Sequence, residues 1–370
     1  MRVLIQTSLS PYSGYGNDGI GIARAFEDWG AEVVLLPTTV QPPLPEDVAQ
    51  MLTRPVDGVF DLYINHTDPS NLAVTPDVKA VAKYTVGWTM WEYSNFKNLT
   101  GRSTLRKRLN GFDSVVAYDE ISRGCLEPYV KGEVLTVQGG FWPQDWPEME
   151  RDWHSDRFGF CMVGALTERK DPFVAIKAFS ELKQEFPEEF APAELHLKTN
   201  TPGLHSGIEK VIDKVRIHYA VWPDEILRSF YAAQHCLLAP SRGEGKNMPA
   251  LEFQSTGGAV IATNWGGHRQ WLNEDCNYAL DYTLAPVAEF PETYNARASV
   301  EHLKSLMLHV FRNRTEARIK GQHAARTIPA QASWPAVIER LLITISRQSE
   351  AGKNVWASAQ QVRRSSDGDS

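Results

Sequence analysis

At 370 residues the chain is longer than one domain usually runs, so two domains are expected. A formal charge of −7 speaks against a general nucleic-acid binder and leaves room only for a local basic groove. Four scattered cysteines without C-x-x-C spacing (Cys125, Cys161, Cys236, Cys276), no apolar run near the roughly 20 residues of a membrane helix, and an N-terminus without signal-peptide architecture lead us to expect a cytoplasmic protein, with reduced thiols, no zinc site and no stable membrane insertion.

Arg2 to Thr7 reads as a short buried strand. Four glycines follow (Gly14, Gly16, Gly19, Gly21), then a helix through Ile22, Ala23, Phe26 and Trp29 that stops at Gly30. Ala31 to Leu36 is the next strand, which makes a βαβ opening with its ligand crevice at the strand C-termini. The glycine spacing fits a dinucleotide fingerprint only loosely, because Pro37-Thr38-Thr39 stands where an acidic residue would be needed. Strands at Phe60 to Asn65 and Lys83 to Trp88 end in His66-Thr67-Asp68 and Thr89-Met90-Trp91-Glu92. Their placement makes His66, Trp91 and Glu92 crevice candidates, although a strand-end His also fits a hydrogen-bonded turn and Trp91 also fits a core. Ser114 to Ala117 and Val134 to Gln138 complete the first half, with a helix between them over Ile121 to Val130.

Residues 141–157 have the aperiodic composition of a linker, and the strand pattern restarts at Phe158 to Val163. An amphipathic helix over Pro172 to Phe186, strands at Glu194 to Lys198 and Val215 to Tyr219, and a helix over Pro223 to Ala233 come next. An apolar run, Ala232 to Ala239, then leads into Pro240 to Gly258. The run, this stretch and the residues after it read as strand, glycine loop, short helix and strand (Ala259 to Thr263). Pro249 suits the first helical turn and Gly257-Gly258 the C-cap. Backbone N–H groups at such a helix start form an anion site, and Glu244 and Glu252 could both line it. An ordinary strand–loop–helix unit with one solvated and one helix-face glutamate has the same local pattern. Three helical segments (Val300 to Asn313, Glu316 to Arg326, Trp334 to Arg347) follow, and the polar tail from Ala351 reads as disordered. The domain expectation is therefore 1–145, 146–350 and a tail, 351–370.

From Phe158 to Trp271 the sequence resembles retaining glycosyltransferases of the GT-B type, in particular the large family 4 group. Three ordered segments carry this: V-G-A-L-T-E-R-K-D-P-F-V-A-I-K-A-F, W-P-D-E-I-L-R-S-F-Y-A-A-Q-H-C-L-L-A-P-S-R, and E-G-K-N-M-P-A-L-E-F-Q-S-T-G-G-A-V-I-A-T. The resemblance implies an α/β fold of two Rossmann-like domains facing a central cleft, with the C-terminal helix returning toward the N-terminal domain. It implies a UDP- or GDP-linked sugar as co-substrate, held by the second domain, with no permanently bound cofactor and no metal. It assigns Lys170 to the donor diphosphate, Glu244 to the donor sugar and Glu252 to the ribose. Backbone groups of Gly245, Lys246, Asn247 and Met248 would hold phosphate, and Gly164, Arg169 and Lys198 would line the donor site. Gly14, Tyr15 and Gly16 would approach donor or acceptor, and His66 or Glu92 would assist the acceptor hydroxyl. Trp222, beside Pro223 and Asp224, fits stacking on a base and equally fits packing between domains.

Three positions depart from the family pattern. Ala165 stands where an arginine is usual; Arg169 is its candidate replacement, against the tendency of neighbouring side chains on an extended loop to diverge. Lys246 and Asn247 stand where aromatic or small residues are usual, and Thr89-Met90-Trp91-Glu92 where a histidine is usual. The acceptor stays open among glycans, proteins, lipids and modified nucleic acids. The basic stretch Phe96 to Arg108 is compatible with an anionic acceptor and equally with a solvated helix face. Phosphorylase chemistry on the same fold and a decayed nucleotide-sugar-binding protein are the alternatives; the first lacks any sign of a cofactor lysine.

Overall fold

The computed structural model describes residues 1–95, 101–199, 208–212, 215–288 and 290–368. It divides into two compact units, Met1–Phe141 with Gln331–Ser370, and Trp142–Ala330.

The first unit begins with β1 (Arg2–Leu9), α1 (Gly14–Asp28), β2 (Glu32–Val40), α2 (Glu46–Met51), β3 (Leu62–His66) and α3 (Pro76–Val81). It continues through β4 (Thr85–Thr89), α4 (Arg102–Leu109), β5 (Ser114–Ala117), α5 (Glu120–Leu126) and β6 (Val134–Thr136). All six strands are parallel, in the order β2-β1-β3-β4-β5-β6. β3, β4 and β5 are buried on both faces, which is why their sequences run apolar without alternation. The strand order reverses between β1 and β3, so a crevice opens at their C-terminal ends.

The second unit holds β7 (Phe158–Val163), α6 (Pro172–Glu185), β8 (Ala193–Thr199), β9 (Ile208–Ile212), β10 (Val215–Tyr219), α7 (Asp224–Ala232), β11 (Cys236–Ala239) and α8 (Met248–Ser255). β12 (Ala259–Thr263), β13 (Tyr278–Leu280), the ribbon β14 (Tyr282–Val287) and β15 (Phe290–Ala298), α9 (Val300–Arg312) and α10 (Arg314–Ala332) follow. Its main sheet has the order β13-β12-β11-β7-β8-β10-β9, parallel except for β9. Phe158, Phe160, Phe179, Phe190 and Phe311 dominate the core between this sheet and α6 and α9. The half-buried Arg151 ties helix ends together. Its guanidinium donates to the carbonyls of Gln234 (2.9 Å), Tyr231 (3.4 Å) and Thr256, and to Thr256 Oγ1 (2.5 Å). These carbonyls lie at the C-termini of α7 and α8, where a cation complements the helix dipole.

α11 (Trp334–Ser346) and α12 (Glu350–Gly368) belong to the first unit. Trp334 is fully buried and meets Trp88 edge-on at 6.4 Å. A Cβ at position 21 would lie 2.1 Å from Trp334 Nε1, so Gly21 is where α1 admits that indole. The expected boundaries at 145 and 350 therefore shift to 141 and 330, because α11 fills the core of the first unit. The expected disordered tail is α12. Val355 and Ala359 are buried, the Trp29 indole N–H donates to the Ala359 carbonyl (3.1 Å), and the Arg363 guanidinium sits 4.3 Å from the Trp29 ring. Its polar composition hid two small apolar contacts at helical spacing.

Candidate functional site

Four adjacent parallel strands, β12, β11, β7 and β8, carry the loops that hold the predicted donor residues. The β7 loop begins at Gly164, in a conformation with φ of 141°, and the Lys170 stem passes close to it. The Lys170 N–H donates to the Thr167 carbonyl (3.1 Å), and Asp171 is left-handed, with φ of 49°. The segment is thus a tight turn and not extended chain. That corrects the expectation of divergence: Arg169 and Lys170 converge. Arg169 Nη1 lies 3.0 Å from Glu244 Oε2, and Lys170 Nζ lies 2.6 Å from Glu244 Oε1. Arg169 also donates to the Gly243 carbonyl at 2.6 Å. Arg242 braces the turn through Asp171 (2.7 Å) and Glu168, and its own N–H donates to the Arg169 carbonyl (2.7 Å).

Glu244 is buried, and its carboxylate is only 5% exposed. Burial alone would raise its pKa, but Lys170 and then Arg169 hold it far below the ordinary carboxylate value. It is an anion at any working pH. Glu252, on α8, is the opposite case. It accepts from the Tyr231 hydroxyl at 3.0 Å, and burial, helped by Asp224, pushes its pKa up to about 7 against the pull of Lys246 and Lys198. Lys246 is itself buried. Lys198, at the end of β8, lies 5.7 Å over the Trp222 ring, and burial lowers its pKa. Trp222 packs against His218 and Phe230 at 5.6 and 5.3 Å.

The loop after β12 closes the cluster. The Gly267 N–H donates to the Glu244 carbonyl (2.8 Å), and the Trp271 indole N–H to the Lys246 carbonyl (2.8 Å). A Cβ at position 267 would lie 1.9 Å from the Gly245 carbonyl oxygen, so glycine is required there. His268 is buried beside Asn247, the N-cap of α8. The sequence reading missed Tyr231, His268 and Arg151. N-W-G-G-H-R at the end of a strand was a signal for His268, and the i, i+4 pattern of α7 masked Tyr231 as an ordinary apolar-face residue.

Candidates of the first unit form a separate group. Gly14 and Gly16 lie in the first turn of α1, and the Gly16 N–H donates to Ser13 Oγ at 3.1 Å. Tyr15 donates its hydroxyl to the Met90 carbonyl at 2.7 Å. Burial, followed by the charge of Glu92, raises its pKa. His66 has no exposed surface. Its Nε2 pairs with the Tyr118 hydroxyl (2.8 Å), which donates to Asp18 (2.8 Å), and its Nδ1 pairs with Thr7 Oγ1 (3.2 Å). Both ring nitrogens of His66 are thus engaged within the first unit, and water does not reach the ring. Residues 96–100 of the basic stretch lie outside the described residues; from Arg102 it forms the exposed face of α4, with Leu105 and Leu109 in the core.

Among the described residues no group of three or more His, Cys, Asp or Glu is arranged to hold a metal ion, and no helix is long and apolar enough to cross a membrane. All four cysteines are free and buried.

Residues 157–294 match the family of glycosyl transferases group 1. Residues 157–294 are thus similar to a group 1 glycosyl transferase domain. This stretch contains every loop of the cluster around Glu244. Curated protein sequences hold no match to the chain. Among solved structures, sucrose-phosphate synthase from Thermosynechococcus elongatus superposes with a TM-score of 0.64 at 13% identity, over 94% of this chain and all (100%) of that one. HepE from Anabaena, in complex with UDP-glucose, gives 0.64 at 12% over 94% and 100%. WaaG, a glycosyltransferase involved in lipopolysaccharide biosynthesis, gives 0.58 at 13% over 93% and 99%. The fold is therefore GT-B, an α/β fold of two Rossmann-like units. By domain and fold together, the chain is a glycosyltransferase.

Proposed function

We propose that the enzyme moves a sugar from a nucleoside-diphosphate sugar to an acceptor with retention of anomeric configuration and without a divalent metal, in the cytoplasm. One observation carries this reading: Arg169 and Lys170 meet on the buried Glu244 carboxylate inside the stretch that matches group 1 glycosyl transferases. Arg169, Lys170, Lys198 and Lys246 stand around Glu244 and Glu252, where they can offset the charge of a diphosphate. Arg169 and Lys170 take the diphosphate, together with backbone N–H groups of Gly245, Lys246 and Met248 at the start of α8. Leaving-group charge grows on that diphosphate during transfer, and fixed cations stabilise it where it develops. Glu244, permanently ionised, faces the donor sugar and supports positive charge building on it. Glu252 accepts from the ribose hydroxyls, and Trp222 stacks on the base. Acceptor recognition belongs to the first unit, with Gly14, Tyr15 and Glu92 as its candidates. UDP is the first nucleotide to test, since HepE was crystallised with UDP-glucose.

The test is release of free nucleoside diphosphate from a panel of nucleotide sugars, with and without EDTA. Release is expected in both conditions and abolished by Glu244→Ala and by Lys170→Ala. Ordinary turnover in both variants would overturn the site assignment, and loss of release in EDTA would overturn the metal-free reading. Calorimetry with UDP and GDP separates an enzyme lacking its acceptor from a decayed protein, which would give no heat.

A further inference from the structure

The bend that opens α8 is held from outside the helix. Asn247 is its N-cap, with φ of 65° and ψ of 74°. That is the left-handed region, which disfavours residues with a Cβ, asparagine less than most. An asparagine at a helix start ordinarily turns its side-chain oxygen back onto the first-turn N–H groups. Here the side chain makes no such bond. Its amide Nδ2 lies 2.9 Å from His268 Nε2 instead.

His268 can act as the acceptor because its other nitrogen is committed. Nδ1 lies 2.8 Å from the carbonyl oxygen of Thr263, the last residue of β12, so Nδ1 carries the proton and Nε2 presents a lone pair. Burial pushes the imidazole pKa down to about 4, which keeps that lone pair free across the working range. The bonds from Gly267 and Trp271 to the Glu244 loop end on backbone carbonyls and would survive any side-chain change at 247. The bond between Asn247 and His268 depends on the residue at 247.

We infer that His268 is a positioning residue for the donor: by holding the Asn247 amide it keeps position 247 left-handed and its side chain off the first turn of α8, where the diphosphate is to lie. The inference rests on the donor site proposed above. It gives a reason for an asparagine here: a residue with a Cβ holds a left-handed bend when a buried partner locks its side chain, whereas glycine takes the bend unaided.

The test is a double-mutant cycle read by calorimetry with UDP and GDP, with thermal melting alongside. The variants are His268→Phe, Asn247→Ala, Asn247→Gly and the double variant Asn247→Gly/His268→Phe. His268→Phe and Asn247→Ala are each expected to weaken nucleotide binding by roughly 5- to 30-fold, the range set by the left-handed backbone preference. In the Asn247→Gly background, His268→Phe is expected to change affinity by less than about 2-fold. A purely structural His268 would lower the melting temperature in both backgrounds and leave the coupling at zero. Equal losses in both backgrounds, or wild-type affinity in His268→Phe, overturn the inference. Should His268→Phe fail to fold, Asn247→Ala against Asn247→Gly decides, and equal affinities overturn it. Absence of UDP and GDP binding in the wild type would instead bring down the donor-site reading, and this inference with it.

Discussion

Replacing Glu252 by glutamine should stabilise the protein at high pH while weakening nucleotide binding. Glu252 is buried, 8% exposed, and accepts from the Tyr231 hydroxyl at 3.0 Å, a bond an amide oxygen can also accept. Burial pushes its pKa from the ordinary 4.5 up to about 7. The folded state therefore holds the proton more tightly than the unfolded chain. The resulting stabilisation is complete below about pH 4.5 and is lost as pH rises through about 7. Each tenfold difference in proton affinity is worth 1.36 kcal/mol, so ionised Glu252 costs the fold about 3 kcal/mol relative to its protonated form. Glutamine escapes that cost. The melting temperature of Glu252→Gln should exceed wild type by roughly 6–12 °C near pH 8.5 and match it near pH 5, for a unit of this size. Melting curves of both proteins across that range provide the measurement. Calorimetry should show UDP or GDP binding about tenfold weaker or more, from the loss of a charged acceptor for the ribose hydroxyls. A stability difference that does not change with pH, or a variant less stable than wild type near pH 8.5, would refute the reasoning.

Glu244→Gln removes the anion that occupies Arg169 and Lys170 in the free enzyme; nucleoside diphosphate should bind about tenfold tighter by calorimetry while sugar transfer is lost. Arg151→Lys keeps the charge but loses the fork that reaches the Tyr231, Gln234 and Thr256 carbonyls, and denaturant unfolding should report a loss of about 2–4 kcal/mol. Truncation after Glu350 strips Trp29 of its Ala359 and Arg363 contacts, so hydrogen exchange on α1 should speed up and the melting temperature fall.

The strands were legible because buried parallel strands write themselves as short apolar runs. Phe158–Val163, Val215–Tyr219 and Ala259–Thr263 have the expected bounds. The loops around Glu244 were legible because glycine, a cation and a helix start follow one another there in the order of the family pattern the sequence resembles. What stayed hidden depended on three-dimensional closure. The convergence of Arg169 with Lys170 follows from the turn at Thr167 to Asp171, and spacing alone does not specify a turn there. His66 looked like a crevice residue by position, yet Tyr118 and Thr7, far from it in sequence, take both its nitrogens. α12 was hidden because its packing rests on a few small contacts within a polar sequence. The ribbon β14–β15 was hidden because exposed strands with polar residues lack an apolar run.

The late arrival of Trp334 has a consequence for how the chain matures during synthesis. The first sheet is made early, but the indole that fills the space between Gly21, Trp88 and Gly140 is encoded some two hundred residues after the last strand of that sheet. The second unit, Trp142–Ala330, leaves the ribosome whole before Trp334 does. Vectorial synthesis ordinarily lets N-terminal domains fold first. Here the inserted unit can complete its core first, while the opening sheet waits, with an apolar hole facing water, for α11 to emerge. Nascent chains stalled before and after Trp334 should therefore differ in the protease resistance of residues near the start of the protein, and much less in that of the middle.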